Sequence, residues 1–353
     1  MNLVDLLTQL VNIRTDQREE EQVAFLARLL ESWGARITVQ EVAPGRPNLI
    51  ATFPGRDPSR SLMLEAHSDT VGGDAPFVAS VRDGRLYGRG ACDTKASIVA
   101  MVLGLRAVLD RDGQPPVTAH FVSTCNEEHG ATGAHALVAG GFRADMAVVG
   151  EPTELKIVHA HKGALRLKLG TTGVAAHSAD PARGVNAIYK MRCVLDNLEH
   201  FAAPVRHSVL GSPTVSVGTI RGGTQVNVVP AECEIEVDCR LVPGQSREEV
   251  VRALVAGLDV QCEVTEYYPP LEEDPGSLVA HLLAQALPVA VLATAAYATN
   301  AGVFKAAGIP CVVFGPGSIQ QAHTRDEFVE LAQVELAARV FAELIRRSME
   351  GTI

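Results

Sequence analysis

The stretch AECEIEVDCRLV, residues 231–242, alternates between apolar and charged side chains with a period of two. The apolar positions are Cys233, Ile235, Val237, Cys239 and Leu241, and the charged positions are Glu232, Glu234, Glu236, Asp238 and Arg240. Because successive side chains of a strand point to opposite faces, this pattern predicts a β-strand with one buried and one solvated face.

The segments around this strand complete a small domain. The predicted elements are, in order, strand 164–169, helix 185–201, strand 214–220, strand 231–242, a helix that begins at the capping box SREE of 246–249, and strand 261–267. The order β-α-β-β-α-β is that of the ferredoxin-like fold. We therefore expect residues 160–272 to form one domain.

The flanking segments alternate apolar strands with amphipathic helices, which is typical of an α/β domain with a mixed sheet covered by helices. The strands are predicted at 35–39, 48–53, 61–66, 117–124, 146–149 and 311–314, and the helices at the N-terminus, 18–33, 98–109, 278–287 and 328–347. We expect this domain, formed by residues 1–159 and 273–353, to be interrupted by the ferredoxin-like insertion.

Composition excludes several classes of function. The 353 residues are 47% hydrophobic and 20% charged, as expected of a folded chain, and the net charge of −10 disfavours nucleic-acid and membrane-surface partners. The seven cysteines contain no C-x-x-C, which predicts neither a disulfide framework nor a cysteine zinc site and favours the reducing cytoplasm. The uncharged stretch 275–304 is interrupted by Gln285 and Pro288, so we expect it to be buried core and not a membrane span.

Potential metal ligands follow the predicted strands where the strands end. They are His67 with Asp69, Asp93 after a glycine-rich turn, the pair Glu127 and Glu128, Glu151, and His323. Each has an ordinary structural alternative: a structural histidine, a helix cap or a solvated loop. Since neighbouring side chains of extended backbone diverge, one acid of the pair can bind metal while the other faces substrate. Together, imidazoles and carboxylates at one set of strand ends predict two zinc ions that share a carboxylate.

Seven segments carry a resemblance that runs in order through nearly the whole chain. They are LEAHSDTV (64–71), LYGRGACDTKAS (86–97), STCNEEHGATGA (123–134), VVGEPTEL (148–155), GTTGVAAHSADPARGVNAI (170–188), GGTQVNVVPAECEIEVDCR (222–240) and GPGSIQQAHTRDE (315–327). The chain resembles the acetylornithine deacetylase and succinyl-diaminopimelate desuccinylase family of dinuclear zinc peptidases, and lies nearest the acetylornithine deacetylase side. The resemblance implies a zinc-dependent exopeptidase-like catalytic domain with an inserted ferredoxin-like lid, and a cytoplasmic homodimer formed through the lid.

The resemblance also implies roles for single residues. His67 and Glu151 would bind the first zinc, Glu128 and His323 the second, and Asp93 would bridge the two ions. Glu127 would be the general base, Asp69 would orient His67, and the Asp93–Thr94 peptide would be cis. His177 would polarise the scissile carbonyl, and Asn227 and Arg240 would hold the substrate. Two Zn²⁺ ions per subunit are implied, and Co²⁺ or Mn²⁺ suits the same ligands.

The implied reaction is removal of the acyl group from an N-acyl amino acid, with N-acetyl-L-ornithine as the first candidate. The family usually carries an acid near Asn300, and its absence weakens the case for a cationic substrate side chain. N-acetylcitrulline deacetylase, succinyl-diaminopimelate desuccinylase and dipeptidase or carboxypeptidase activities therefore stay open. A zinc-binding regulator without catalysis is an alternative of another class, which the retention of Glu127 and every ligand disfavours.

Overall fold

The computed structural model describes residues 2–201 and 205–350. The chain divides into two compact units. The first comprises Met1–Ala160, Leu271–Thr294 and Thr299–Ile353, and the second comprises His161–Pro270 and Ala295–Ala298.

The elements of the described residues follow in chain order. The helices are α1 (Leu3–Asn12), α2 (Glu20–Glu31), α3 (Lys95–Asp112), α4 (Thr132–Ala139), α5 (Ala187–Glu199), α6 (Arg247–Leu254), α7 (Leu278–Ala286), α8 (Asn300–Ala306) and α9 (Leu331–Arg347). The strands are β1 (Arg36–Ala43), β2 (Arg46–Phe53), β3 (Asp57–His67), β4 (Ser80–Arg82), β5 (Arg85–Tyr87), β6 (Val117–Thr124), β7 (Met146–Val149), β8 (Ile157–His161), β9 (Gly163–Thr172), β10 (Thr214–Gly222), β11 (Glu232–Leu241), β12 (Gln261–Tyr268), β13 (Leu271–Glu272), β14 (Leu292–Ala295), β15 (Cys311–Val313) and β16 (Phe328–Glu330).

The main sheet of the first unit is mixed and has the order β1-β2-β6-β3-β7-β15-β8-β13, with β14 paired to β8. Strands β6, β3, β7 and β15 run parallel to one another. His67 at the end of β3 lies opposite Thr124 at the end of β6, and Val149 of β7 lies opposite Val313 of β15. The carboxyl ends of four strands therefore meet at one edge, which is where open α/β sheets carry their sites.

Helix α3 is the central helix of this unit because residues 96–105 are apolar or small on every side. In the run KASIVAMV, residues 95–102, every side chain is buried. Gly104 allows α3 and α9 to approach closely, since a Cβ at this position would lie 2.8 Å from Cβ of Phe341. Phe341 in turn packs edge to face on Phe314, just after β15, with ring centroids 5.6 Å apart.

The second unit has the predicted ferredoxin-like fold. Its antiparallel sheet has the order β10-β11-β9-β12, and α5 and α6 are the two helices of the β-α-β-β-α-β sequence. The alternation along β11 is confirmed, because its apolar positions are buried against α5 and its charged positions are not. On the charged face, Lys168 of β9 pairs with Glu234 at 2.7 Å. Ser246 caps α6 by accepting the backbone N–H of Glu249 at 3.2 Å.

Two predictions at the C-terminal side need correction. The last helix begins at Leu331 and not at 328, because Phe328–Glu330 pair with β5 as a short strand. The stretch 275–304 is core only in part: α7 buries Val279, Ala280, Leu282 and Leu283, whereas Val289 is 75% exposed in the loop that follows. Among the residues described, no helix has both the length and the apolarity needed to cross a bilayer.

Candidate active site

Three side chains form the first group of potential metal ligands: His67 at the end of β3, Glu151 just after β7, and Asp93 in the turn before α3. Nε2 of His67 lies 3.0 Å from Oδ1 of Asp93 and 4.0 Å from Oε1 of Glu151. The other ring nitrogen, Nδ1, lies 3.0 Å from the main-chain oxygen of Asp69. A proton on Nδ1 satisfies that carbonyl and leaves the lone pair of Nε2 directed at the carboxylates, the tautomer that a metal-binding histidine requires.

The second group contains Asp93, Glu128 and His323. Nε2 of His323 lies 3.0 Å from Oε1 of Glu128 and 3.3 Å from Oδ2 of Asp93. His323 has a positive φ of 62° in the loop between β15 and β16. Asp93 thus presents one carboxylate oxygen to each histidine, the arrangement of a bridging ligand between two cations.

The donor set fits zinc. Four ligand atoms on a tetrahedron with zinc bonds of 2.0–2.1 Å are about 3.3 Å apart. The donor–donor distances of 3.0, 3.3 and 4.0 Å found at His67 and His323 fall on either side of that value. All donors are imidazole nitrogens or carboxylate oxygens, which suit zinc, and also cobalt and manganese.

Electrostatics at the site favour a cation. Burial raises the pKa of Glu151 and of Glu127 well above the ordinary value, and the neighbouring carboxylates raise both further. Burial also opposes ionisation of Asp93, but hydrogen bonds from His323 and His67 outweigh it and lower the pKa of Asp93. A dication among these carboxylates would stabilise their ionised forms.

Asp69 anchors the acid pair. Its buried carboxylate accepts the backbone N–H of Glu127 at 2.9 Å through Oδ1 and that of Glu128 at 3.0 Å through Oδ2. Oδ1 of Asp69 is 3.5 Å from Nδ1 of His67, whereas the main-chain oxygen of Asp69 is 3.0 Å from that nitrogen. The carboxylate therefore positions the Glu127–Glu128 backbone more directly than it orients the imidazole.

The backbone around the acid pair differs from the extended conformation that we expected. Residues 127–130 form a turn, preceded by Asn126 with a φ of 55°. Glu128 belongs to the second ligand group and Glu127, 7% exposed, lies outside both groups. The two acids thus separate as expected, although the turn and not strand alternation separates them. The Asp93–Thr94 peptide is cis, as the resemblance implied.

The second unit holds His177, Asn227 and Arg240, but at two different ends. His177 forms a β-bridge with Val228, and the N–H of Ser178 donates to the main-chain oxygen of Asn227 at 3.1 Å, so His177 and Asn227 are neighbours. Arg240 lies at the opposite end of β11, where its guanidinium makes two hydrogen bonds to Asp238 of 2.7 and 3.1 Å. The structure therefore does not bring Arg240 to the other two residues within one unit.

Asn300, near which the family usually carries an acid, is a buried residue. It is 1% exposed at the start of α8, where its Nδ2 donates to Oε1 of Glu65 at 2.9 Å and to Oγ1 of Thr124 at 3.0 Å. Burial raises the pKa of Glu65 to about 7. The amide is explained by this buried acid, because an acid at 300 would face a second carboxylate there.

Lys95 is a structural residue of the site that the sequence analysis missed. It is fully buried, two residues after Asp93, and its Nζ donates to the main-chain oxygens of Leu10 at 2.9 Å and Ile13 at 2.7 Å. Burial lowers the pKa of Lys95 to about 7. A charged residue directly before the uncharged run 96–105 of α3 was the available signal, and its function is to cap the carboxyl end of α1.

Comparison with known proteins identifies the family. The model of peptidase family M20/M25/M40 matches residues 63–347. The chain belongs to this family. Acetylornithine deacetylase of Proteus mirabilis is 32% identical over 94% of this chain and 91% of its own, and that of Myxococcus xanthus is 35% identical over 86% and 84%. An M20 family metallo-carboxypeptidase from Sulfolobus solfataricus, 18% identical, has the same fold, with a TM-score of 0.83 over 99% of each chain.

Family membership confirms the sequence-based resemblance and the fold that it implied. The chain is an M20 hydrolase that acts on amide bonds, and the two curated relatives named above are acetylornithine deacetylases. The match to these relatives covers most of both chains, so the alignment includes both the α/β unit and its ferredoxin-like insertion.

Proposed function

We propose that this protein is a metal-dependent deacetylase of N-acetylated amino acids, with N-acetyl-L-ornithine as the first substrate to test. The observation that carries the proposal is the pair of ligand groups that share Asp93, with Glu127 buried beside them and outside both. The deacetylases of Proteus mirabilis and Myxococcus xanthus support the choice of the acetyl group. With that substrate the enzyme would serve arginine biosynthesis in the cytoplasm.

The proposed cofactor is a pair of zinc ions. His67 and Glu151 would hold one ion, Glu128 and His323 the other, and Asp93 both. When bound, the ions polarise the amide carbonyl and lower the pKa of water. Cobalt and manganese are the alternatives that the same donors would accept.

Glu127 is proposed to move the proton. It would take a proton from the water that attacks the acyl carbon and deliver that proton to the departing amine nitrogen, so that acetate and a free amine result. Asp69 supports this step by holding the Glu127 N–H at 2.9 Å. Its second oxygen accepts the N–H of Glu128, so Asp69 fixes the backbone of the proposed base and of a proposed metal ligand together.

His177, Asn227 and Arg240 are proposed to bind the substrate, with His177 polarising the carbonyl oxygen and Arg240 gripping the carboxylate. From Glu232 to Arg240 the strand β11 advances by eight residue steps, or about 27 Å. The bridge of His177 to Val228 lies beyond the Glu232 end. An N-acyl amino acid has the length of about two residues, roughly 7 Å. His177 and Arg240 of the same lid are therefore too far apart to bind one substrate molecule together.

We therefore propose a homodimer in which His177 and Asn227 of one subunit serve the substrate that Arg240 of the other subunit holds. Strand β10 is the edge of its sheet and is mostly exposed, and an exposed edge can pair with another chain. Exposed apolar side chains continue the surface, with Tyr189 at 71% and Ile220 at 54%.

The dimer proposal has a direct test. His177→Ala and Arg240→Ala homodimers should each be nearly inactive, whereas a mixture allowed to exchange subunits should recover about a quarter of the wild-type activity, because half the dimers then carry one intact site. No recovery in a mixture whose exchange is verified would contradict action across subunits.

The function itself is tested by amine release from N-acetylornithine, N-acetylcitrulline, N-succinyl-diaminopimelate and a dipeptide, each with and without chelator. We expect chelator-sensitive release from one acetylated amino acid. Activity only on the succinylated substrate or the dipeptide would replace the deacetylase by another M20 activity. Silence on all four would leave two alternatives, an acyl group outside the panel or the non-catalytic zinc-binding protein, and a zinc count per chain would follow.

A further inference from the structure

A buried ion pair next to the ligand groups has no role in the chemistry described so far. Glu327 is 1% exposed and Arg89 is 3% exposed, and Nη1 of Arg89 donates to Oε2 of Glu327 at 2.8 Å. Ionised side chains are rarely buried to this extent unless they are paired and hydrogen-bonded. The pair therefore needs an explanation beyond stability, since a buried ion pair is weak evidence for stability by itself.

The other oxygen of Glu327 reaches the backbone of the shared ligand. Oε1 accepts the N–H of Cys92 at 3.0 Å and the N–H of Asp93 at 3.1 Å, while the main-chain oxygen of Glu327 accepts the N–H of Gly88 at 3.0 Å. One residue thus binds both ends of the turn 88–93. These contacts fix the backbone from which the Asp93 carboxylate projects.

Glu327 also belongs to the loop that carries His323. Glu327 lies four positions after His323, and β16 begins directly after Glu327, where it pairs with β5. His323 itself has a positive φ and a side chain that is half exposed, so little around its own ring restrains it apart from Asp93 and Glu128. Glu327 thus attaches this loop to the Asp93 turn through buried hydrogen bonds, and Sγ of Cys92 adds a contact to the main-chain oxygen of Ser318 at 3.4 Å.

We propose that Glu327 is a positioning residue that fixes the spacing between Asp93 and His323 and so determines whether the second ligand group binds its metal. The inference rests on the metal centre of the proposed function. The second group should depend on Glu327 more than the first, because Glu327 restrains two of its members, Asp93 and His323. Of the first group it restrains only Asp93, while His67 and Glu151 are held at the ends of β3 and β7.

The test compares Glu327→Ala with Glu327→Gln. Alanine removes every side-chain contact, whereas glutamine loses only the bond from Arg89, because its Oε1 still accepts the two N–H groups. Residues of this kind, which orient metal ligands, change metal affinity by about 10- to 100-fold. We expect wild type to bind two ions, Glu327→Ala to bind one ion tightly and the second at least about tenfold more weakly, and Glu327→Gln to recover most of the second affinity.

The neighbouring ion pair supplies a matched control. Arg85 and Glu330 join the same two segments at 2.7 Å, but their side chains are 41% and 37% exposed. Glu330→Gln should therefore keep both metal affinities. The measurement is titration of the metal-free full-length proteins with Co²⁺, followed by the visible absorption of each site and by a metal count after gel filtration, with circular dichroism to verify folding.

Each outcome is decisive. Retention of both Co²⁺ affinities within about twofold in folded Glu327→Ala, or an equal loss at both sites, would overturn the proposal. If Glu327→Ala does not fold, the comparison passes to Glu327→Met combined with Arg89→Met, which removes the acceptor, fills the space and leaves no buried charge unpaired. Unchanged affinity of the second site in that protein would overturn the proposal as well. A wild type that binds no metal would instead refute the proposed metal centre, so the two failures are distinguishable.

Discussion

Replacement of Asp69 by asparagine tests the arrangement of the acid pair most sharply. Each Asp69 carboxylate oxygen accepts one backbone N–H, from Glu127 at 2.9 Å and Glu128 at 3.0 Å. In Asp69→Asn one of these oxygens becomes an NH₂ group, which is a donor and faces another donor. The substitution therefore removes one charge-assisted bond and leaves a buried N–H unpaired.

The magnitude follows from these two losses. A hydrogen bond to a charged group contributes about 1.5–3 kcal/mol, and an unsatisfied buried donor costs about 1–3 kcal/mol. Because the two terms overlap, we expect Asp69→Asn to lower the free energy of unfolding by about 3 kcal/mol. If the displaced turn moves Glu127 from its reacting position, each 1.4 kcal/mol of barrier lowers kcat about tenfold, so a loss of roughly 10- to 100-fold is expected.

The assay combines urea unfolding of the metal-free protein with kcat for the preferred substrate. Asp57→Asn is the matched control, because Asp57 also accepts two bonds, from the N–H of Ser59 at 3.0 Å and its hydroxyl at 2.6 Å, but at an exposed position. We expect the control to stay within about 0.5 kcal/mol and to keep wild-type kcat. An Asp69→Asn protein that matches the control in both measurements would refute the reasoning.

Three further predictions concern metal uptake, the buried amide and the lid. Hydrogen bonds from His323 to Asp93 and Glu128 raise the pKa of His323 to about 10, so its ring is protonated near pH 7 and metal binding must release that proton. Calorimetry in two buffers of different ionisation enthalpy should detect the released proton. Metal affinity should rise by up to about tenfold per pH unit below pH 10. Asn300→Asp should lower the free energy of unfolding, measured in urea, by about 2–4 kcal/mol. The loss should be greater at pH 8 than at pH 6, because a proton shared between the introduced carboxyl group and Glu65 is lost as the pH rises. Arg240→Lys should raise KM about tenfold with little change in kcat in steady-state kinetics, since a lysine cannot grip a carboxylate with two parallel bonds.

These three predictions have their own contradicting results. Metal binding at pH 7 without proton release would refute the assignment of His323 as a ligand. Equal stability of the Asn300→Asp and Asn300→Ser proteins would contradict the claim that Glu65 disfavours an acid at position 300. Arg166→Lys is the control for the lid, since Arg166 also pairs with Asp238, at 3.7 Å, on the same face of the sheet. Equal KM values for the Arg240 and Arg166 variants would contradict a substrate contact at Arg240.

Much of the fold was predictable because burial imposes a period on the sequence. The alternation in β11 identified the ferredoxin-like unit, and the apolar strands 117–124 and 146–149 are found with the predicted bounds. The short strand β16 was not predictable, because its three residues continue the apolar spacing of α9 and only the pairing with β5 distinguishes them. Local pattern cannot reveal a partner that lies some 240 residues away in the chain.

The candidate ligands were predictable for a different reason. Residues that follow parallel strands converge at one edge of the sheet, so His67 and Glu151 share one ligand group although they are far apart in sequence, and Glu128 joins the adjacent group through Asp93. The supporting residues were not, because buried polar groups such as Glu327 and Asn300 have no periodic signature. Only the contacts of Glu327 with the Asp93 backbone, and of Asn300 with Glu65, distinguish them from loop and cap residues.

The central claim is that Glu127 transfers the proton beside a metal pair that other residues hold. The most direct measurement is the rate of amine release from N-acetylornithine by zinc-loaded wild type and Glu127→Gln, with zinc counted in both. The account predicts two zinc ions in each protein and a loss of at least about a thousandfold in kcat for the variant. Wild-type turnover by Glu127→Gln, or loss of zinc together with activity, would contradict it.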